Sequence, residues 1–315
     1  MEQHVLGIHH VTAITDDPQR NIDFYAGILG LRFVKRTVNF DVPDTYHLYY
    51  GDALGHPGTA LTFFSWPGYP MGRRGTGQVT TTSFSIPIAA LDYWRARLMH
   101  YGVQFEEPVQ RFDEQVLAFT DHEGLGRELV DHAGAEQRAG WREGSIPAEH
   151  AIRGFYNVTL SITRYDVTAT LLTSLLGFER MASVGNRTRF SVDRDGNGGT
   201  LVDLLNLPGE RRGVESIGTV HHVAWRTADD EQQLLWRKKL VEHGLNVTPV
   251  MDRSYFHSIY FREPSGVLFE IATDTPGFTV DEAQEALGTQ LKLPPWLESQ
   301  RAVLEKSLPA VHLPY

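Results

Sequence analysis

An α+β fold of four repeated βαβββ modules is predicted for this chain of 315 residues. Three observations predict it. A strand–helix–strand pattern recurs at roughly 60 to 75 residues, too long a period for a solenoid and right for a small supersecondary unit. The strand opening Gly7-Ile8-His9-His10-Val11 returns almost verbatim as Thr219-Val220-His221-His222-Val223. The stretch 119–129 also aligns with 261–271 without a gap, placing Gly124 on Gly266 and Glu128 on Glu270. One curved, open sheet of this size cannot close a core alone. The modules are therefore expected to pair as curved mixed sheets enclosing a cavity.

Each element follows from local chemistry. In the first module an apolar strand over 8–15 precedes Asp16-Asp17-Pro18, an acidic helix start. Ile22, Tyr25, Ile28 and Leu29 then fall near one helical face, and Gly30 ends the helix. Strands follow over 31–40, 46–50 and 59–66. The second module has a Thr-rich strand over 78–86 and a helix over 91–100 with Leu91, Trp94 and Leu98 on one face. Short strands over 103–105, 115–120 and 126–130 complete it. The third opens at Gly154-Phe155-Tyr156-Asn157, with a helix over 166–176 and strands over 179–184, 187–192 and 200–205. The fourth has a strand over 219–226, a helix over 229–243 and strands over 246–250, 258–261 and 267–273.

The expected organisation is an N-terminal domain over 1–140 (modules 7–66 and 78–131), a linker over 141–153 and a C-terminal domain over 154–275 (modules 154–206 and 217–273). A C-terminal helical tail covers 276–315, with helices expected over 281–287 and 298–308 around the rigid turn Leu293-Pro294-Pro295-Trp296. No chemistry is evident in the tail.

Bulk composition narrows the function. Hydrophobic residues make up 41% and charged residues 22%, an ordinary globular balance. The net charge of −10 argues against a nucleic-acid partner, which needs a basic face. The absence of cysteine excludes disulfides, thiolate zinc sites, iron–sulfur clusters and a cysteine nucleophile. Any metal must be held by His, Asp or Glu. No apolar run approaches the roughly 20 residues of a membrane helix, and no secretory leader is apparent. The expectation is a cytoplasmic protein with no membrane partner.

Superposing the modules gathers the chemistry. The first-strand position of His10 holds His222 in module four, Asn157 in module three and only Thr80-Thr81-Thr82 in module two. The last-strand position holds Glu270 in module four and Glu128 in module two, the latter an echo without partners. If modules one and four pair, His10, His222 and Glu270 face one cavity. Two histidines and one carboxylate on one side of a metal, with open positions opposite, are the pattern of non-haem Fe(II) oxygenases. Strand alternation sends neighbouring side chains to opposite faces, so spacing leaves open which His of each pair is the ligand. A lone His-His is most often a buried, hydrogen-bonded strand pair. Two such pairs at equivalent positions, absent from modules two and three, argue against shared ancestry alone. Glu270 follows Val267-Leu268-Phe269, and a buried charge there requires a partner. His47 reads as a core or supporting residue, and 252–257 as a cavity-lining or solvated loop. The glycine-rich 72–77 precedes a strand rather than a helix, so it is not a phosphate loop.

These modules resemble the vicinal oxygen chelate (VOC) superfamily, which includes glyoxalase I and the extradiol dioxygenases. The stretches 7–12, 32–37, 46–50, 154–155, 221–224 and 277–282 resemble the hydroquinone ring-cleaving type, including dichlorohydroquinone 1,2-dioxygenases. The resemblance covers nearly the whole chain. It implies that the second His of each pair and the strand-end Glu bind Fe(II), with Mn(II) the other option, which maps to His10, His222 and Glu270. It also implies that His9, His221, Arg253 and Tyr260 line the substrate site and act in catalysis. The implied partners are a small aromatic diol and O2, with a homo-oligomer left open. The implied reaction is cleavage of a ring activated by a metal-lowered hydroxyl pKa. Three readings compete: extradiol cleavage of catechols, a glyoxalase-like lyase or isomerase, and a non-catalytic binding module. A glyoxalase-type site usually wants a second carboxylate, and 61–64 contains no acid.

Overall fold

The computed structural model describes residues 4–315. Module one contains β1 (Ile8–Thr15), α1 (Pro18–Ile22), β2 (Arg32–Val38), β3 (Tyr46–Gly51) and β4 (Ala60–Ser65). Module two contains β5 (Gln78–Ile86), α2 (Leu91–His100), β6 (Val109–Arg111), β7 (Glu114–Thr120) and β8 (Gly126–Asp131). Module three contains β9 (Phe155–Ile162), α3 (Tyr165–Thr170), β10 (Glu179–Val184), β11 (Arg187–Ser191) and β12 (Leu201–Asn206). Module four contains β13 (Val220–Thr227), α4 (Asp230–Glu242), β14 (Met251–Asp252), β15 (Phe256–Arg262) and β16 (Leu268–Pro276). In the tail, α5 (Arg301–Ser307) follows a series of single 3-10 turns.

The modules form two curled eight-stranded sheets. One runs β14-β15-β16-β13-β1-β4-β3-β2 and joins modules four and one. The other runs β10-β11-β12-β9-β5-β8-β7-β6 and joins modules three and two. The antiparallel seams β1–β13 and β5–β9 close each pair. Modules one and four therefore share a sheet, as the two histidine pairs require. Each sheet takes one module from either sequence half.

The helices are set by caps and one apolar face. Asp17 accepts hydrogen bonds from the backbone N–H groups of Gln19 and Arg20, with Pro18 at the first helical position. Asp229 caps α4 by accepting from the Gln232 N–H. Trp94 of α2 and Trp236 of α4 are buried against the sheets. Gln233 of α4 is also buried, and its amide donates to the carbonyls of His257 and Ile271 at 2.7 and 2.9 Å, tying helix to sheet. α1 and α3 widen into π-helical turns, Asp23–Ile28 and Leu171–Leu175. Gly30 then takes φ +65, and a Cβ there would lie 2.2 Å from Ile146 Cγ1. Only glycine ends the helix in that space.

Four sequence expectations are corrected. The strand over 103–105 is reduced to one bridge, Phe105 to Phe119, and the edge strand is β6. The strand over 246–250 is irregular, and the edge strand is β14. The helix over 281–287 is a 3-10 turn, Gln284–Ala286. The final helix over 298–308 is a 3-10 turn, Glu298–Gln300, running into α5. Edge strands have one bonded neighbour, so their register shows little in hydrophobic pattern. No helix among the described residues is long and apolar enough to cross a membrane.

Candidate metal centre

Register explains how two adjacent histidines serve one site. Along the seam, Ile8 pairs Trp225 and His10 pairs Ala224, so His9 is an extra residue on β1. Thr12 pairs His222 and Ala13 pairs Val220, so His221 is an extra residue on β13. Both are β-bulges, which break alternation and re-aim side chains. The second sheet bulges at the equivalent residues, Thr80 and Tyr156. The bulge brings the two rings of each pair together instead of onto opposite faces. His9 Nδ1 lies 2.9 Å from His10 Nδ1, and His221 Nδ1 lies 2.7 Å from His222 Nδ1.

The proton pattern follows from what each atom faces. His9 Nε2 lies 3.1 Å from the Thr273 carbonyl, which can only accept. His9 therefore carries its proton on Nε2 and offers a lone pair at Nδ1. His10 donates its Nδ1–H to that lone pair, leaving its own Nε2 bare. His221 Nε2 faces the Glu215 carboxylate at 3.8 Å, which favours the same arrangement for His222. The two bare Nε2 atoms lie 3.1 Å apart. Glu270 Oε2 lies 2.9 Å from His222 Nε2 and 3.3 Å from His10 Nε2. That oxygen is buried and has no hydrogen-bond partner among the described residues. Ser258 Oγ donates to the other carboxylate oxygen.

Three candidate ligand atoms thus converge in a buried space. Their separations of 2.9–3.3 Å match neighbouring vertices of a coordination shell with bonds of about 2.0–2.2 Å. The residues fit a divalent cation. They are the one group of three or more candidate ligands among the described residues. Burial alone would raise the Glu270 carboxyl, but His10 and His222 beside it hold it well below the usual range. Burial, then the neighbouring His10, holds the His9 imidazole well below its usual range. Burial, then His222, brings His221 down to about 3.

A cavity of about 340 Å³, mouth included, opens beside the three ligands. His10 and His222 form one wall, with the Phe256 ring tilted against His10 at 4.9 Å. Tyr260 and Arg253 form another, with Arg253 Nε donating to Tyr260 Oη at 3.2 Å. Burial, then the Glu270 charge, pushes the Tyr260 hydroxyl above its usual range, so it stays protonated. Ser254, next to Arg253, has φ +66, an uncommon kink for a non-glycine residue that re-aims the chain there. Asn39, Phe40 and Asp41 form the rim, where Asp41 pairs with Arg253 at 3.2 Å.

The structure differs from the resemblance at two residues. His9 and His221 do not line the cavity; they stand behind His10 and His222. Sequence reasoning also missed residues. Ser258 supports Glu270, and Phe256 and Ser258 precede the expected Tyr260 at a period of two, a signal that could have found both. His47 lines the cavity, with Nε2 2.9 Å from Thr62 Oγ1 and Nδ1 2.8 Å from Tyr49 Oη. Glu128 has partners after all: Ser83 Oγ at 2.7 Å and Arg111 Nη1 at 2.8 Å. A guanidinium therefore meets the second sheet's carboxylate where two imidazoles meet Glu270.

The support from His9 has a measurable consequence. His9→Ala is expected to weaken metal binding by about 10- to 100-fold, as loss of an outer partner of a ligand histidine does. Competition against a chromophoric chelator measures it. Unchanged affinity would mean that packing on Phe256, not His9, orients His10.

The chain is similar to known proteins over nearly its whole length. The family model described as "Glyoxalase/Bleomycin resistance protein/Dioxygenase superfamily" matches residues 7–129 and 155–271. MhqO of Bacillus subtilis (strain 168), a provisionally named ring-cleaving dioxygenase, is 46% identical over 308 residues, covering 98% of this chain and 97% of MhqO. The chlorohydroquinone/hydroquinone 1,2-dioxygenase of Sphingobium indicum is 35% identical over 320 residues, covering 98% and 97%. A crystal structure of a provisionally named dioxygenase from Bacillus subtilis superposes with a TM-score of 0.94 at 46% identity, covering 99% of both chains.

Proposed function

We propose, for a chain that belongs to the glyoxalase/bleomycin resistance protein/dioxygenase superfamily, the O2-dependent cleavage of hydroquinone-type para-diols at an Fe(II) ion held by His10, His222 and Glu270. Its relatives over nearly the whole length are ring-cleaving dioxygenases, and the chain is an enzyme of that class. The observation that carries the finer reading is the convergence of three candidate ligand atoms, two imidazole nitrogens and one carboxylate oxygen, beside an open cavity. Two nitrogens and one oxygen on one face suit non-haem Fe(II), and Mn(II) tolerates the same set. A para-diol substrate is supported by the hydroquinone dioxygenase at 35% identity.

A bound ferrous ion would supply a lowered pKa at the substrate hydroxyl and a route for electrons from ring to O2. The remaining work falls to the chain. Glu270 and the paired imidazoles bring one net negative charge, which suits a dication. His9 and His221 fix the tautomers of His10 and His222. Phe256 and Phe64 offer flat apolar faces to an aromatic ring. A para-diol has no second hydroxyl next to the first, so its far hydroxyl must be held by protein groups. Arg253 and Tyr260 are placed to orient the substrate and to hold or move its proton. In the overall reaction both atoms of O2 enter the product and one ring carbon–carbon bond breaks.

The deciding experiment is anaerobic Fe(II) loading, followed by O2 uptake with hydroquinone, methylhydroquinone and catechol. Uptake with the para-diols in preference to catechol supports the proposal. Uptake with catechol alone favours extradiol cleavage, and no uptake despite one bound metal per chain favours a lyase or isomerase. Tyr260→Phe removes one hydroxyl and is expected to lower kcat by about 10²- to 10⁴-fold while metal content stays unchanged. Unaltered kcat would remove Tyr260 from proton handling.

A further inference from the structure

We infer that the C-terminal tail belongs to the active cavity, with Phe278 as its floor and as a determinant of which ring substituents fit. The inference rests on the ring-cleavage reading above. It starts from a difference between the two sheets. In the metal-centre sheet, Ala60 and Ala224 each pair with His10, and Ala272 follows Glu270 by two. Paired residues and residues two apart share a face, so three small side chains lie beside the ligands. At the equivalent places the second sheet has Leu201 and Ser83, which pair with Asn157, and Val130, two after Glu128. There Val130 and Leu201 fill the space themselves, packed with Val116 and Tyr156.

In the metal-centre sheet the space is filled from outside the module. Phe278 and Leu287 of the tail pack with the three alanines, Tyr49 and Phe256. The Phe278 ring lies edge-on to Tyr49 at 5.1 Å and tilted against Tyr255 at 5.0 Å. Tyr49 and Phe256 are cavity walls, and Phe278 stands behind them. The tail is fixed from the opposite module. It leaves β16 of module four and is anchored on β2 of module one. Lys35 Nζ donates to Asp281 and Glu282, and Arg32 Nη2 donates to the Gln284 carbonyl at 2.6 Å. The Lys292 N–H donates to the Arg36 carbonyl at 2.9 Å. Phe278 is thus a positioning residue, acting through Tyr49 and Phe256 to limit the depth available to a bound ring.

The test uses the full-length, Fe(II)-loaded protein. Anaerobic binding of hydroquinone and tert-butylhydroquinone is followed by tryptophan fluorescence, with KM and kcat measured in air. Phe278→Ala is expected to keep the parent's metal content and to shift the bulky-over-unsubstituted preference by about tenfold or more, through KM and binding rather than kcat. Phe278→Leu gives a smaller shift in the same direction and serves where the alanine variant does not fold. A folded, metal-loaded variant whose preference stays within about twofold of the parent overturns the inference. If the parent binds no diol, the ring-cleavage reading falls, and the floor is judged by crystals of the variant soaked in benzene. Benzene continuous with the space between Tyr49 and Phe256 supports the floor. Benzene absent, or sealed from that space, overturns it.

Discussion

Glu270→Ala is expected to abolish both metal retention and diol-dependent O2 uptake, while the metal-free protein remains folded. Glu270 is fully buried and supplies the one anionic atom of the triad. Its loss leaves two neutral imidazoles to hold a dication in a low-dielectric space, where a paired charge is worth most. The fall in affinity should exceed the roughly 10- to 100-fold that changes in outer partners cost. Folding should survive because the carboxylate contributes little to the apolar core and is itself costly to bury without a cation. Thermal unfolding separates the two effects. Metal at about 1,000 times its Kd stabilises a native protein by about 4 kcal/mol. That increment should appear in the parent and vanish in the variant. Glu270→Gln keeps the shape and the Ser258 contact but not the charge, and should also fail to bind metal. A Glu270→Ala protein that still gained stability and turned over diols would move the centre elsewhere.

Much of this centre is legible in the residues, and the parts that are not have a common cause. His10, His222 and Glu270 emerge from superposing repeats, since repetition reports equivalent positions without any knowledge of packing. The pairing of modules one and four follows from the same three residues. The placement of His9 and His221 does not. Alternation sends adjacent side chains apart, and the bulges that bring them together exist only in the register between β1 and β13. Register between strands some 210 residues apart is a tertiary property with no local signature. The partner of Glu128 is hidden for the same reason. Arg111 reaches it from an edge strand across β7, although Phe112 and Ser254, the two non-glycine residues with positive φ among the described residues, sit next to Arg111 and Arg253 at equivalent places.

The two sheets also show how one module serves two ends. In the second, Arg111 neutralises Glu128, and Arg187 and Arg189 neutralise Asp203 at 2.8–3.1 Å. Its interior charges meet one another. In the first, Glu270 faces imidazoles instead of a guanidinium, the arginine positions of β11 correspond to His47 and Tyr49 of β3, and the residual charge suits a cation. The same backbone becomes a closed ionic interior or an open candidate metal centre through a few inward side chains.

Lys35→Met should destabilise the protein by about 3–5 kcal/mol, the cost of breaking a buried ion pair from one side. Lys35 is fully buried, and its ammonium meets Asp281 at 2.6 Å and Glu282. It also lies 4.9 Å above the Tyr255 ring, whose hydroxyl donates to Asp281 at 3.1 Å. Most of the penalty belongs to Glu282, which is 3% exposed, whereas Asp281 is 34% exposed and can recover hydration. Methionine keeps the apolar stem, so the loss reports charge rather than packing. Adding Asp281→Asn and Glu282→Gln to Lys35→Met removes the unpaired anions and should recover most of the stability, because desolvation of a complete pair roughly cancels its attraction. Urea unfolding of the single and triple variants makes the comparison. A single variant that loses under about 1 kcal/mol would mean the carboxylates reach solvent and the clamp is an ordinary surface pair. Since the clamp holds the segment carrying Phe278, the single variant should lose O2 uptake together with stability, and the triple variant should regain both.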